Sequence, residues 1–263
     1  MIRAEQLEVI FNAGTPLENR ALRGVSIDIP KGQFVTVIGS NGAGKSTLLN
    51  ALAGEVSCQQ GHILLDDEDI TAWPVHRRAP LIARVFQDPL MGTCENLTIE
   101  ENLALAMSRT QRRGLGKAAK QAYRERFRER LATLQLGLEN RLTDKIGLLS
   151  GGQRQAVSLL MAALQPMKLL LLDEHTAALD PKTAQFILEL TQSIVAEQNL
   201  TALMVTHSMK QALAVGDRTI MLHQGRIALD VAGDDRKGLG TQDLLDLFHK
   251  NHEAVEDDAL LLG

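Results

Sequence analysis

The sequence predicts an α/β fold with a helical subdomain inserted into it. Three observations predict this. The strand candidate "FVTVIG" runs directly into a glycine-rich loop and then into a helical pattern. The opening and closing thirds show strand-like runs between turn residues, whereas the middle carries apolar residues at helical spacing. In "KLLLL" the four residues after the lysine are continuously apolar, as a strand covered on both faces is.

Each element follows from its local pattern. "EQLEVIF", "VSIDI", "FVTVIG" and "HILL" are short strands, and "IPKGQ" supplies a Pro–Gly turn before the third. After "GAGKSTLLNALAG" the spacing is helical, with Gly54 placed to end the helix. In "ENLTIEENLALAM", Thr98 and Glu101 form a capping box. Tyr123, Phe127, Leu131, Leu134 and Leu138 mark one stripe of an amphipathic helix, separated from the previous one by the glycines of "RRGLGK". These two helices place a helical subdomain over residues 88–165. "KLLLL" is then a buried strand, "KTAQFILELTQSIVAE" a helix, "LTALMVT" a strand and "TIMLHQGRIAL" a hairpin turning at Gly225. The tail "NHEAVEDDALLLG" is acidic and reads as frayed.

The stretch "LLSGGQRQ" poses a problem. Ser150 and Gln153 fit a capping box, and Ala156, Val157, Leu160, Met161 and Leu164 continue at helical spacing. Yet Gly151 and Gly152 occupy the first turn, where each costs about 1 kcal/mol against alanine. Arg154 also sits near the positive end of the helix dipole. Both features are expected if an anion lies at this helix start and the backbone approaches it closely.

Composition narrows the function classes. The chain has 263 residues, 44% hydrophobic and 23% charged, with a formal net charge of −4. That charge and the 3% aromatic content supply neither the basic footprint nor the stacking platform of a nucleic-acid binder. Cys58 and Cys94 match no metal spacing and read as free thiols in a reducing compartment. No run approaches the about 20 apolar residues of a membrane-spanning helix, and the first residues are unlike a secretory signal. In "RTQRRGLGKAAKQAYRERFRER" glutamates interleave with arginines, which points to a solvated helix face rather than a lipid-binding one.

Four motifs carry chemistry. "GSNGAGKST", residues Gly39, Ser40, Asn41, Gly42, Ala43, Gly44, Lys45, Ser46 and Thr47, is a P-loop with a strand before it and a helix after it. Backbone N–H groups would wrap phosphates, Lys45 would reach the β- and γ-phosphates, Ser46 would ligate Mg²⁺ and Thr47 would support the α-phosphate end. "LLLLDEH" ends a hydrophobic strand in Asp173, which fits the acidic partner of Mg²⁺, and Glu174, placed to polarise an attacking water. "MVTHS" ends another strand at His207, and "RVFQDP" ends a further one at Gln87, able to ligate Mg²⁺ or hold water. In open α/β sheets ligands bind beyond the carboxyl ends of the strands, where these residues fall.

Together, "GSNGAGKST", Gln87, "LSGGQ", "LLLLDE", "AALD" and His207 occur in the order seen in ATP-binding cassette (ABC) ATPases, which the chain resembles over about residues 1–230. The resemblance implies a P-loop NTPase cassette with a mixed sheet core, an antiparallel β subdomain and the inserted helical subdomain. On that reading residues 1–263 are a single ABC ATPase domain. Residues 1–87 and 166–235 form the catalytic core, 88–165 the helical subdomain and 236–263 a helical tail. It implies ATP and Mg²⁺ as cofactors and a head-to-tail pair of cassettes. In that pair Ser150, Gly151, Gly152 and Gln153 of one copy cover the γ-phosphate on the other's P-loop, and Asp180 crosses the same interface. Phe11 resembles the aromatic that stacks on adenine. The chain departs from the family's frequent "DEPTSALD" in having His175 for proline and Ala177 for serine, positions expected to leave hydrolysis normal.

The resemblance implies an ATPase subunit of a transporter, either a homodimer or paired with a homologous cassette. Its partners would be integral-membrane permease subunits and an extracytoplasmic substrate-binding protein, with no nucleic acid. Its place would be the cytoplasmic face of the membrane. The lone cassette looks like those of bacterial importers, with a faint likeness to amino-acid-type uptake systems. The alternatives are a non-transport ABC ATPase, which usually carries coiled-coil insertions or two cassettes in one chain, and a nucleotide-dependent switch or scaffold without catalysis.

Overall fold

The computed structural model describes residues 1–110 and 121–250, with the side chains of residues 110, 121 and 122 excepted. The glycines of "RRGLGK" and the acidic tail "NHEAVEDDALLLG" lie outside the described residues. The chain divides into two compact units, one built from Met1–Arg78 together with residues from Thr201 onward, the other from Ala79–Leu200.

The first unit opens with β1 (Ile2–Phe11) and β2 (Asn19–Ile29), paired antiparallel from Ile2↔Ile29 to Phe11↔Asn19. Then come β3 (Phe34–Ile38), α1 (Lys45–Ala53), β4 (Gln60–Leu65), β5 (Glu68–Asp69) and α2 (Val75–Arg78). The antiparallel sheet has the order β2-β1-β4-β5. All five residues of β3 are buried, the signature of a strand covered on both faces.

The second unit contains β6 (Ile82–Val85), α3 (Ile99–Met107), α4 (Gln121–Ala132), α5 (Gly151–Ala163), β7 (Leu169–Asp173) and α6 (Pro181–Glu197). Strands β6 and β7 pair in parallel. The chain then returns to the first unit with β8 (Thr201–Val205), α7 (Met209–Ala214), β9 (Arg218–His223), β10 (Arg226–Ala232) and helix α8 over residues 241–250. There the sheet runs β10-β9-β3-β8, with β9, β3 and β8 parallel and β10 antiparallel, so it is mixed.

Local chemistry accounts for the element ends. The Thr98–Glu101 capping box starts α3, with both reciprocal hydrogen bonds made. Phe127, Leu131, Leu134 and Leu138 are buried in one apolar cluster with Ile99 and Leu103 of α3. The expected single helix through Leu138 is shorter, however. It stops at Ala132, the backbone turns left-handed at Gln135 (φ 55°), and Leu138 reaches the same cluster from a separate 3₁₀ turn. An apolar stripe specifies which residues are buried, and a turn can deliver them as well as a helix does. On the outer face of α4, Arg126, Arg128 and Arg130 are exposed, while Arg124 pairs with the buried Glu100 of α3 at 2.6 and 2.7 Å.

The far end of α1 is held by a residue outside the motif. Arg78 is 2% exposed and donates to Ala51 O, Leu52 O, Trp73 O and Thr71 O at 2.8–3.0 Å. A cation on the last carbonyls of a helix complements both its unsatisfied acceptors and its dipole. Arg78→Ala should lower thermal stability by about 2–4 kcal/mol, because buried carbonyls lose their donors. A melting temperature equal to the parent's would show that the cap contributes nothing.

Candidate functional site

The P-loop follows β3 and leads into α1. Gly39 has φ 151° and Gly44 φ 102°, values that side chains disfavour. A Cβ on Gly39 would stand 2.3 Å from Leu222 O, and one on Gly44 2.6 Å from Ala21 O. Only glycine fits between these carbonyls. The loop is tied down where Gly225 N–H donates to Ala43 O at 3.0 Å, so the β9–β10 turn supports it.

Gly44 is the N-cap of α1 and no side chain caps the helix there. The first-turn N–H groups and the positive dipole end are therefore directed at whatever anion the loop takes. Lys45 is only 6% exposed, and its Nζ donates to Gly39 O at 2.8 Å and Ser40 O at 3.0 Å. The ammonium is thus held over the loop it would share with phosphates. Asn41, Gly42 and Ser46 are exposed.

His207 lies beside this loop by strand register. Val37 of β3 pairs with Val205 of β8, so Gly39 and His207 each stand two residues beyond the paired positions. His207 is exposed. Phe11, at the end of β1, is 37% exposed, so core packing does not account for it.

The second unit repeats the arrangement with acidic and amide groups. Val85 of β6 pairs with Leu172 of β7, which sets Gln87 and Glu174 side by side at the strand ends. Gln87 is exposed, whereas Glu174 is nearly buried and adopts φ 45°. A left-handed glutamate stores about 1–3 kcal/mol of strain, a cost found mostly at functional positions. Asp173 Oδ2 accepts from Arg84 Nη2 at 2.5 Å. His175 is fully buried with Nε2 at 2.9 Å from Thr191 Oγ1, and burial pushes its imidazole down to about 4, so it is neutral near pH 7. Ala177 is exposed.

The "LSGGQ" segment forms the start of α5. Ser150 Oγ accepts from Gln153 N–H, and Gln153 Oε1 accepts from Ser150 N–H, which completes the expected box. Gly152 and Arg154 also make contacts that the local sequence pattern does not show. A Cβ on Gly152 would meet Thr183 Cγ2 at 2.2 Å, so this glycine lets α5 pack against α6. Gly151 would meet only Leu179 Cδ2, at 3.6 Å, and is exposed, as is Ser150 before it. Arg154 turns back to donate to Ile146 O, Gly147 O and Leu149 O, so its charge serves the preceding turn's carbonyls. Asp180 is the N-cap of α6, and hydrogen bonds from Thr183 hold its carboxyl below the usual range.

Two contributors were not singled out in the sequence. Arg84 is a lone charge in the strand "IARV", and buried charges require partners, which was the available signal. Gln155 is fully buried on α5 and its Nε2 donates to Phe86 O at 3.0 Å, fastening α5 to the residue before Gln87.

Ser46 in the first unit, and Gln87 and Asp173 in the second, each carry an oxygen donor of the hard kind that Mg²⁺ takes. Among the described residues no group of three or more His, Cys, Asp or Glu side chains could hold a metal alone. No helix among the described residues is long and apolar enough to cross a membrane.

Comparison with known proteins places the chain in a family. A family profile described as "ABC transporter" matches residues 22–177. A tyrosine transport ATP-binding protein of Clostridioides difficile (strain R20291) is 46% identical over 248 residues, 94% of this chain and 98% of that protein. A thiamine import ATP-binding protein of Escherichia coli (strain UTI89 / UPEC) is 35% identical over 77% of this chain and 82% of its own length. Among solved structures, the post-hydrolysis dimer of the ATP-binding cassette MJ0796 bound to ADP and Pi matches with TM-score 0.76 and 28% identity, over 88% of this chain and 98% of that one. The ADP conformation of the cassette MJ1267 matches with TM-score 0.76 and 26% identity, over 94% and 98%.

Gly152→Ala should destabilise the protein by about 1–3 kcal/mol through overpacking. Adding Thr183→Ser, which deletes the clashing methyl and keeps the Asp180 cap, should restore most of the loss in a thermal melt. Full stability of Gly152→Ala alone would refute the packing role.

Proposed function

Because the chain belongs to the ABC transporter family as an ATP-binding, ATP-hydrolysing subunit, we propose that it works as a head-to-tail pair driving import through a separate membrane permease. The single observation carrying this reading is the pair of helix starts. The start of α1 has no side-chain cap and suits the phosphates of its own nucleotide, whereas α5 is already capped and keeps Gly151 open for a partner's nucleotide.

In this reading the Gly39–Thr47 loop binds the phosphates through its backbone N–H groups, and Lys45 Nζ leaves Gly39 O and Ser40 O for the β- and γ-phosphates. Phe11 lies against adenine. Ser46, Gln87 and Asp173 would hold Mg²⁺, which when bound neutralises phosphate charge. Glu174 accepts the proton of the attacking water, and His207 donates to the γ-phosphate. Ser150, Gly151, Gly152 and Gln153 of the partner, with Asp180, close over the terminal phosphate and shield it from bulk solvent, leaving room for the attacking water. Hydrolysis removes the shared γ-phosphate ligand, so the pair reopens. Residues 88–165, following Gln87, would pass that motion to the permease.

The names of the relatives favour a small-solute cargo, of the kind that tyrosine and thiamine are; docked on its permease, the subunit would sit at the cytoplasmic face of the membrane. An extracytoplasmic binding protein would then deliver the cargo. Residues 1–87 with 166–235 serve as the catalytic core and 236–263 as a tail.

Glu174→Gln should bind ATP normally, hydrolyse it about 10²–10⁴-fold more slowly, and accumulate as a dimer in size-exclusion chromatography with ATP. Parental turnover would remove Glu174 as the base. Replacing Gly151 by leucine should abolish both dimer formation and turnover while leaving nucleotide binding by the monomer intact; a variant that still turns over at the parental rate would defeat the paired reading.

A further inference from the structure

Arg84, the partner of Asp173, has no place in the mechanism above. The two residues lie at the carboxyl ends of neighbouring parallel strands, with Arg84 opposite Leu171 in register. Arg84 Nη2 donates to Asp173 Oδ2 at 2.5 Å, and the two side chains are only 11% and 15% exposed. A carboxylate so shielded is costly without a counter-charge, and removing one member of such a pair leaves the other stranded. The guanidinium is itself fixed, its Cζ standing 4.7 Å from the centre of the Phe86 ring. Phe86 is in turn held through its carbonyl by Gln155. The arginine is therefore placed by packing before it meets the carboxylate.

We propose that Arg84 is a positioning residue for the metal: it grips one oxygen of Asp173, Oδ2, and so presents the other, Oδ1, to the nucleotide-bound cation. This rests on the reading of Asp173 as a Mg²⁺ ligand. Partners that orient a ligating carboxylate govern metal affinity, and their loss weakens it about 10–100-fold. Arginine suits the role because its planar group stacks on Phe86 while donating in plane, which an ammonium cannot do.

The test is the Mg²⁺ dependence of nucleotide binding, followed with the fluorescent probe trinitrophenyl-ATP on the full chain, with no turnover required. Arg84→Met keeps the stem on Phe86 and removes the donor. It should raise the half-saturating Mg²⁺ concentration about tenfold. Arg84→Lys, which keeps the charge and a donor but loses the planar group, should raise it by less than Arg84→Met does. Asp173→Asn should abolish most of the Mg²⁺ dependence, and adding Arg84→Met to it should change nothing further.

An Arg84→Met midpoint within twofold of the parent overturns the proposal. So does an equal shift on the Asp173→Asn background, which would mean Arg84 acts by another route. If Asp173→Asn keeps the parental Mg²⁺ dependence, the underlying ligand assignment has failed, and the Arg84 role fails with it for that separate reason. Should Arg84→Met not fold, Arg84→Lys decides: an unshifted midpoint overturns the proposal.

Discussion

The start of helix α1 must remain without a side-chain cap, and much of the first unit is arranged around that constraint. Gly39 and Gly44 pass so close to Leu222 O and Ala21 O that no Cβ fits. The flanking strand β3 is buried along its whole length, and the Gly225 turn anchors the loop through Ala43 O. At the other end, Arg78 satisfies the carbonyls that α1 leaves open. A helix whose far end is well satisfied can hold its first N–H groups in position for an anion.

Helix α5 meets the opposite requirement. At its start Ser150 and Gln153 satisfy each other's backbone N–H groups. Its glycines then divide the labour. Gly152 brings the helix against Thr183 of α6, while Gly151 leaves the surface open. The same two-residue glycine run therefore contributes one packing contact and one accessible face.

The acidic strand ends show a related economy of side chains. Glu174 is held in a left-handed conformation between the end of β7 and the turn closed by Ala177 N–H on Glu174 O. His175 next to it is driven neutral by burial and bonded to Thr191, so it ties the strand end to α6 without adding charge. Asp173 is balanced by Arg84. A cluster of formally acidic residues is thus positioned by neighbours that are either uncharged or oppositely charged, which keeps desolvation costs low.

The sequence by itself determined the local events: strand, P-loop and helix at residues 34–53, the capping boxes at Thr98 and Ser150, the hairpin at Gly225, and the family to which their order belongs. Each depends on residues a few positions apart, and short-range hydrogen bonding and sterics decide them. What only tertiary structure decided were contacts between distant segments. Gly152 is small because of Thr183, Arg154 turns to Gly147, Asp173 is met by Arg84, and Leu138 joins its cluster from a separate turn. A residue's own type states what it needs, a small neighbour or a counter-charge. Which partner supplies it is set by chain packing, and no local pattern encodes that.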